Sequence, residues 1–221
     1  MREKLRLSVS LISYNEESDI GRTLSSIEDL ASEIIVVDSH STDKTREIAE
    51  SYGARVFEED WKGHIAQKNS ALGKCTQEWI LFLDCDEVVS DELKKKIIEK
   101  VKSPEAEGYI INRKTYYMGK FLKHVWQPDW KLRIVKKSSK PTWEGYDPHD
   151  VLNINGSIKK LDGDLYHYSY RDIEDHFYKT VKYAKIFAQS HYERGQKFEW
   201  HKSLVNPVSA FVKVFFVQRG F

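Results

Sequence analysis

Trp79-Ile80-Leu81-Phe82-Leu83-Asp84-Cys85-Asp86-Glu87 sets five apolar residues before a tetrapeptide with three carboxylates. A continuous apolar run this short predicts a strand buried on both faces. Glu33-Ile34-Ile35-Val36-Val37-Asp38 has the same form and also ends in Asp. Outward from these two, Leu7 to Ser13 reads as a first strand and Ala54 to Phe57 as a third. Between them, Ile20, Leu24, Ile27 and Ala31 recur at helical spacing, as do residues from His64 to Leu72. Ser41-Thr42-Asp43 supplies helix-start residues and Gly53 a stop. Ser90 opens a helix whose Leu93, Ile97, Ile98 and Val101 share a face, and Ser103-Pro104 ends it. Alternating strands and helices predict an α/β fold with a mostly parallel central sheet flanked by helices. Such sheets bind ligands at the carboxyl ends of their strands, where Asp38 and Asp84 fall.

After Gly108 the pattern changes. Strand-like runs, Tyr109 to Asn112 and Lys131 to Val135, sit among aromatic and basic residues. A helical period returns from Asp172 to Arg194, with Ile173, Phe177, Val181, Ala184, Phe187 and Ala188 on one face. Asn206-Pro207 is expected to break the chain before an amphipathic tail. There is no internal repeat.

The 221 residues are 40% hydrophobic and 31% charged, which excludes a disordered chain. Lys plus Arg is 35 and Asp plus Glu is 34, a net charge of +1 that argues against nucleic acid as a partner. Two cysteines, Cys75 and Cys85, form no disulfide framework, and a cytoplasmic location is the default expectation. No stretch approaches the roughly 20 apolar residues of a membrane helix, and the apolar run near Met1 is too short for a signal peptide. Val208 to Val217, interrupted by Lys213, could lie on a bilayer but not span it.

The Asp84–Glu87 cluster suits a hard cation, magnesium or manganese, that keeps sites for phosphate oxygens. Taken alone it is equally a solvated helix start. Four segments in order are more specific: Ser10-Leu11-Ile12-Ser13-Tyr14-Asn15-Glu16-Glu17, Val36-Val37-Asp38-Ser39-His40-Ser41-Thr42-Asp43-Lys44-Thr45, Gln67-Lys68-Asn69-Ser70-Ala71-Leu72 and Leu83-Asp84-Cys85-Asp86-Glu87. Together they resemble family 2 glycosyltransferases, inverting enzymes of the GT-A fold, and most of all the bacterial lipopolysaccharide core glucosyltransferases that act on inner-core heptose. The resemblance covers about the first 170 residues well. It implies a GT-A domain over 1–170, with a nucleotide-sugar half (1–102) and an acceptor half (103–170), followed by a helical C-terminal extension, 171–221.

The resemblance also implies roles. Ser13 and Asp38 would hold the uracil and ribose of a UDP-sugar, Tyr14 would stack on the base, and Glu16 lies in the same loop. Lys68 would face the diphosphate. Asp84 would contact ribose or metal, and Asp86 would ligate the ion directly. Cys85 would point into the core. The base that deprotonates the acceptor hydroxyl is expected in Trp143-Glu144-Gly145-Tyr146-Asp147-Pro148-His149-Asp150. Relatives carry a His followed by an acidic residue there, usually Glu. Here the pair is His149-Asp150, one methylene shorter, with Asp147 and Glu144 as competitors. His167, in Leu165-Tyr166-His167-Tyr168, matches a His that completes the metal site in many such enzymes.

Tyr116-Tyr117-Met118-Gly119-Lys120 and Trp126 to Arg133 offer aromatic faces for sugar rings. Trp130 and His149 are weak acceptor candidates. Arg133 could grip a phosphate or acidic sugar. Lys136, Lys137 and Lys140 form either a solvated turn or a surface toward an anionic acceptor. The tail from Asn206 to Phe221 also resembles the family, and in relatives further helix follows, so a C-terminus cut short is one expectation. A peripheral contact with the cytoplasmic face of the inner membrane is another.

The reading is transfer of a sugar, glucose from UDP-glucose, onto a lipid-linked saccharide, with a divalent ion. One rival is a haloacid-dehalogenase-like phosphohydrolase with Asp84 as nucleophile. Another is a nucleotide-sugar-binding protein without turnover. A third keeps the family but changes the acceptor to a polyprenyl phosphate or another polysaccharide.

Overall fold

The computed structural model describes residues 4–146, 149–195, 197 and 199–218, without the side chain of His149. The first half alternates in the predicted order: β1 (Leu5–Ser13), α1 (Ile20–Ser25), β2 (Ala31–Asp38), α2 (Thr45–Ser51), β3 (Arg55–Glu58), α3 (His64–Lys74), β4 (Trp79–Phe82), β5 (Glu87–Val89) and α4 (Asp91–Lys102). The first helix is shorter than predicted: it ends at Ser25, and Ala31, expected on its face, opens β2. Then come β6 (Gly108–Tyr117), β7 (Lys120–Phe121), β8 (Trp130–Lys136), β9 (Thr142–Tyr146), β10 (His149–Asn153), β11 (Ile158–His167), α5 (Ile173–Glu193) and α6 (Trp200–Val212). The main sheet runs β3-β2-β1-β4-β8-β6-β11-β5, and β7 pairs with β6. Strands β1 to β4 are mutually parallel, β8 enters antiparallel between β4 and β6, and β6 and β11 are parallel. β9 and β10 form a separate hairpin.

Both faces of the β4 segment are buried, and the period of two divides it cleanly. Trp79 and Leu81 pack with Leu7, Val9, Leu11, Leu93 and Ile97 on one face. Ile80 and Phe82 pack with Ile35, Val135, Trp143 and Leu152 on the other. This is why the run reads as uninterrupted apolar sequence. β4 itself stops at Phe82, two residues short of the expected end, which leaves Leu83 to Asp86 as the loop that carries the carboxylates. The third strand lies one residue later than predicted, at Arg55–Glu58.

α4 starts as predicted. The Ser90 hydroxyl accepts from the Leu93 amide at 3.2 Å, with Asp91 and Glu92 in the first turn and Lys100 and Lys102 in the last. Gly163, at a bulge in β11 with φ +97°, passes so close that a Cβ there would stand 2.7 Å from the Leu93 backbone. Only glycine fits both demands.

Two expectations for the extension are corrected. Pro207 does not break the chain: α6 runs through it from Trp200 to Val212 and passes into a π-helical turn, Lys213–Val217. The proline removes one donor, yet the helix on either side keeps its own bonds. The predicted stripe on α5 exists but does not face a core. Ile173, Phe177 and Val181 are more than half exposed, and Phe187 is 42% exposed. The less exposed residues are Asp175, His176, Lys179, Ile186, Ser190 and His191, so α5 turns a mostly polar side toward the domain.

Candidate active site

The strand order reverses between β1 and β4, and the loops after β1, β2 and β4 meet there. Asp38 is fully buried at the end of β2. Its carboxylate accepts from the Ser13 hydroxyl at 2.7 Å, the Ser41 amide at 2.7 Å and the Ser41 hydroxyl at 2.6 Å. The β1 and β2 loops are further joined by the Asn15 amide donating to Ser41 and the Thr42 amide to Asn15, both at 2.8 Å. Asp38 therefore braces the β1 and β2 loops against each other. Tyr14 projects from it, 55% exposed.

Asp84 stands among three cations: Arg133 at 2.8 Å, Lys68 at 3.3 Å and Arg113 at 3.9 Å. Burial works to raise its carboxyl, but Lys68 and the two guanidinium groups overcome this and hold it well below the usual range. Beside it Glu87 is fully buried, ion-paired with Arg133 and Arg113, and accepts from the Asp84 amide at 3.0 Å. Here burial prevails over Arg133 and pushes the carboxyl up. Arg133 is thus turned inward, 4% exposed, and anchors the acidic loop. The role of Glu87 was missed, because nothing in a run of acids says which one turns inside.

β5 lies antiparallel to β11 with Glu87 opposite His167, which brings His167 to the residue before it. His167 Nε2 is 3.4 Å from Asp86 Oδ2, and the Asp86 carbonyl accepts from the Tyr168 amide. Burial raises the Asp86 carboxyl and His167 lowers it further, leaving it below the ordinary value. Glu16 faces the same spot and is pushed up to about 7, by burial first and then by Asp86 and Asp19. Among the described residues no group of three His, Cys, Asp or Glu side chains is close enough to hold an ion unaided. Asp86 and His167 do converge, and a hard cation that takes its remaining ligands from phosphates and water fits that pair.

The opposite wall carries the expected base. Lys68 Nζ is 2.7 Å from Asp150 Oδ2 and 4.4 Å from the centre of the Trp143 ring. Asn69 fixes the hairpin against α3 by two bonds to the Trp143 backbone, each 2.9 Å. Asp150 pairs across the hairpin with Gly145, and Val151 with Glu144. Alternation therefore sends Glu144 to the other face, where it accepts from Asn153. Asp147 and the side chain of His149 lie outside the described residues. Trp130 stays apart from the cluster, its ring under Lys160 at 4.5 Å. The Lys136–Lys140 turn is at the far end of the sheet, with Lys136 opposite Trp79 at the start of β4. It is the solvated turn, not a surface beside the site.

α5 crosses this mouth. Lys179 donates to the Ser169 carbonyl at 2.7 Å, and the Ser169 hydroxyl bonds the His167 ring. At the other end Arg194 donates to the Gly145 carbonyl at 3.1 Å and lies 3.8 Å over the Tyr146 ring, which stacks on His191. Sequence reasoning missed this, although Lys179, Tyr183, Ile186 and Ser190 share one helical face by spacing.

Comparison with known proteins agrees with this geometry. Residues 8–159 match the model of glycosyl transferase family 2. An uncharacterized glycosyltransferase of Rickettsia typhi is 32% identical over 98% of this chain and 78% of its own. The lipopolysaccharide core biosynthesis glycosyltransferase LpsC of Rhizobium meliloti is 28% identical over 98% of this chain and 83% of its own. In fold, the chain is similar to the 1–349 fragment of S. aureus TarS in complex with UDP-GlcNAc, with a TM-score of 0.58, 20% identity, and coverage of 73% of this chain and 58% of that one. A strand-switch crevice with Asp84, Asp86 and Lys68 at its centre, and a family match over most of the chain, make this protein a member of the family 2 glycosyltransferases.

Proposed function

We propose that the enzyme transfers glucose from UDP-glucose, with inversion, to a hydroxyl of a lipopolysaccharide core or another lipid-linked saccharide. The observation that carries this reading is Lys68 lying between Asp84 on the donor side and Asp150 on the acceptor side. The similarity to LpsC supports the acceptor class, and the UDP-GlcNAc complex of TarS supports a uridine-diphosphate donor.

In this mechanism Tyr14 stacks on the uracil and the Asp38-braced loops hold the nucleoside. Lys68 neutralises the diphosphate. Asp86 and His167 would hold the divalent ion, which when bound draws charge from the departing diphosphate. The Asp150 carboxylate takes the proton of the acceptor hydroxyl. That oxygen bonds the anomeric carbon from the face opposite the diphosphate. The bond to the β-phosphate oxygen breaks, and UDP leaves with the electron pair. Holding both substrates in line removes much of the entropic barrier.

We place the enzyme on the cytoplasmic face of the inner membrane. No described helix is long and apolar enough to cross a bilayer. α5, α6 and the turn after it nevertheless expose Phe177, Val181, Leu204, Val208, Phe211 and Phe216. Apolar surface of this extent marks a docking face, and a lipid-linked acceptor puts the membrane beside it.

Calorimetric titration with UDP, with and without manganese, tests the donor site. Metal-dependent binding is the expected result. No binding in either condition, by protein with an intact melting transition, would count against the transferase reading.

A further inference from the structure

We propose that the open cavity between α5 and the first turn of α3 seats the acceptor saccharide next to Asp150. The proposal rests on the transferase reading above. The cavity measures about 570 Å³, and its wall includes Ile65, Lys185, Gln189, Ser190, Glu193 and Arg194. That volume is within the range of small-molecule sites, roughly 300–1,000 Å³.

Its position follows from two contacts. Ile65 is one helical turn before Lys68, and Lys68 bonds Asp150. Arg194 bonds the carbonyl of Gly145, the residue directly across the hairpin from Asp150. Ile65 and Arg194 thus lead, through Lys68 and Gly145, from the cavity wall toward Asp150, which stands beyond the lining itself. Its roof continues the α5 face that carries Lys179 and Tyr183.

The lining suits a sugar chain. Lys185 and Arg194 donate. Ser190 both donates and accepts. Gln189 donates to Glu193 at 2.7 Å, which fixes that carboxylate as an acceptor and leaves the amide oxygen free to receive a hydroxyl. Ile65 offers an apolar surface to the C–H face of a ring. The polarity of α5 has its reason here: a helix laid over a polar ligand site keeps its apolar stripe on the other side.

The test uses the full chain with UDP and manganese, and a heptose-containing core oligosaccharide stripped of its acyl chains. Wild-type protein is expected to bind the oligosaccharide. Gln189→Ala and Lys185→Ala should each weaken it severalfold, and Ser190→Trp, which fills the cavity, at least tenfold. UDP affinity and melting temperature should stay unchanged in all three. Variants that bind the oligosaccharide like wild type overturn the proposal. So does wild-type protein that binds UDP but not the oligosaccharide. Loss of UDP binding by wild type instead overturns the transferase reading, and this one with it.

Discussion

The Lys68 ammonium sits 2.7 Å from the Asp150 carboxylate, joining α3 to a hairpin residue 82 positions later in the chain. The same ammonium is 3.3 Å from Asp84. In the proposed mechanism a diphosphate entering beside Asp84 would compete for it and so release Asp150 to meet an acceptor hydroxyl. Asp150→Asn should therefore keep UDP affinity within about threefold of wild type while transfer falls roughly 10²–10⁴-fold, the usual contribution of a general base. Lys68→Met should do the reverse in binding, raising the UDP Kd at least about tenfold through loss of one charge-assisted contact. Calorimetry and a UDP-release assay read the two effects separately. Full transfer by Asp150→Asn would sink the base assignment.

In the proposed mechanism Asp86 and His167 hold the ion, and each should matter to a different degree. Asp86→Ala removes the only carboxylate of the pair and should abolish the gain in UDP affinity on adding manganese. His167→Ala should weaken it by roughly 10–100-fold in metal concentration, comparable to other ligand-shell losses. Metal titrations at fixed UDP measure both. A manganese effect of wild-type size in Asp86→Ala would move the ion elsewhere.

Arg133 is buried against the fully buried Glu87 and against Asp84. Arg133→Met leaves Glu87 inside with a weaker partner, Arg113 at 3.5 Å. Breaking a buried pair on one side costs about 3–5 kcal/mol. For a chain of this size that lowers Tm by roughly 10 °C. Arg133→Met with Glu87→Gln should regain at least half the loss, because no charge is then stranded. A double variant as unstable as the single one would show that Arg133 acts through packing instead.

Glu16 has its carboxyl pushed up to about 7 in the folded protein, against 4.5 for the free group, by burial and by Asp86. Between those values the folded state keeps a proton that the unfolded state has lost. The contribution of Glu16 to stability then falls as pH rises from about 4.5 to about 7. The contribution is on the order of 1–3 kcal/mol. Glu16→Gln should flatten that slope in melting curves taken in chelator, and should melt higher than wild type at pH 7.5. An unchanged slope would mean that water reaches the carboxyl.

What could be read from the sequence divides along physical lines. Apolar runs such as Ile34–Val37 and Trp79–Leu83 are dictated by burial on both faces, so the strands were legible, and with them Asp38 at the end of β2 and Asp84 just past the end of β4. The Ser90 cap was legible because capping is a local matter. The order β4-β8-β6-β11 was not, since it pairs segments far apart in the chain and leaves no periodicity behind. Nor was the inward turn of Glu87 and Arg133, whose meeting depends on that order. The α5 stripe was legible as a pattern but not in its direction. A hydrophobic face ordinarily points to the core, and here the side toward the domain is the polar one, whose Lys179 bonds the Ser169 carbonyl and whose His176 bonds Tyr117.

That outward stripe makes the last prediction. Phe177 is 67% exposed on α5, and Phe211 and Phe216 are 60% and 64% exposed on α6 and the turn after it. Burying one such side chain is worth about 1.5–3 kcal/mol, so three of them acting together suffice for a peripheral anchor. The full chain should float with vesicles of phosphatidylethanolamine and phosphatidylglycerol. Lys213, in the same segment as Phe216, should make binding weaker on neutral phosphatidylcholine and at high salt. Phe211→Asp and Phe216→Asp should each reduce the bound fraction at least about tenfold while leaving UDP affinity intact. A chain that stays in solution with every vesicle, and sediments as a dimer through these same phenylalanines, would assign the face to a second copy instead of to lipid.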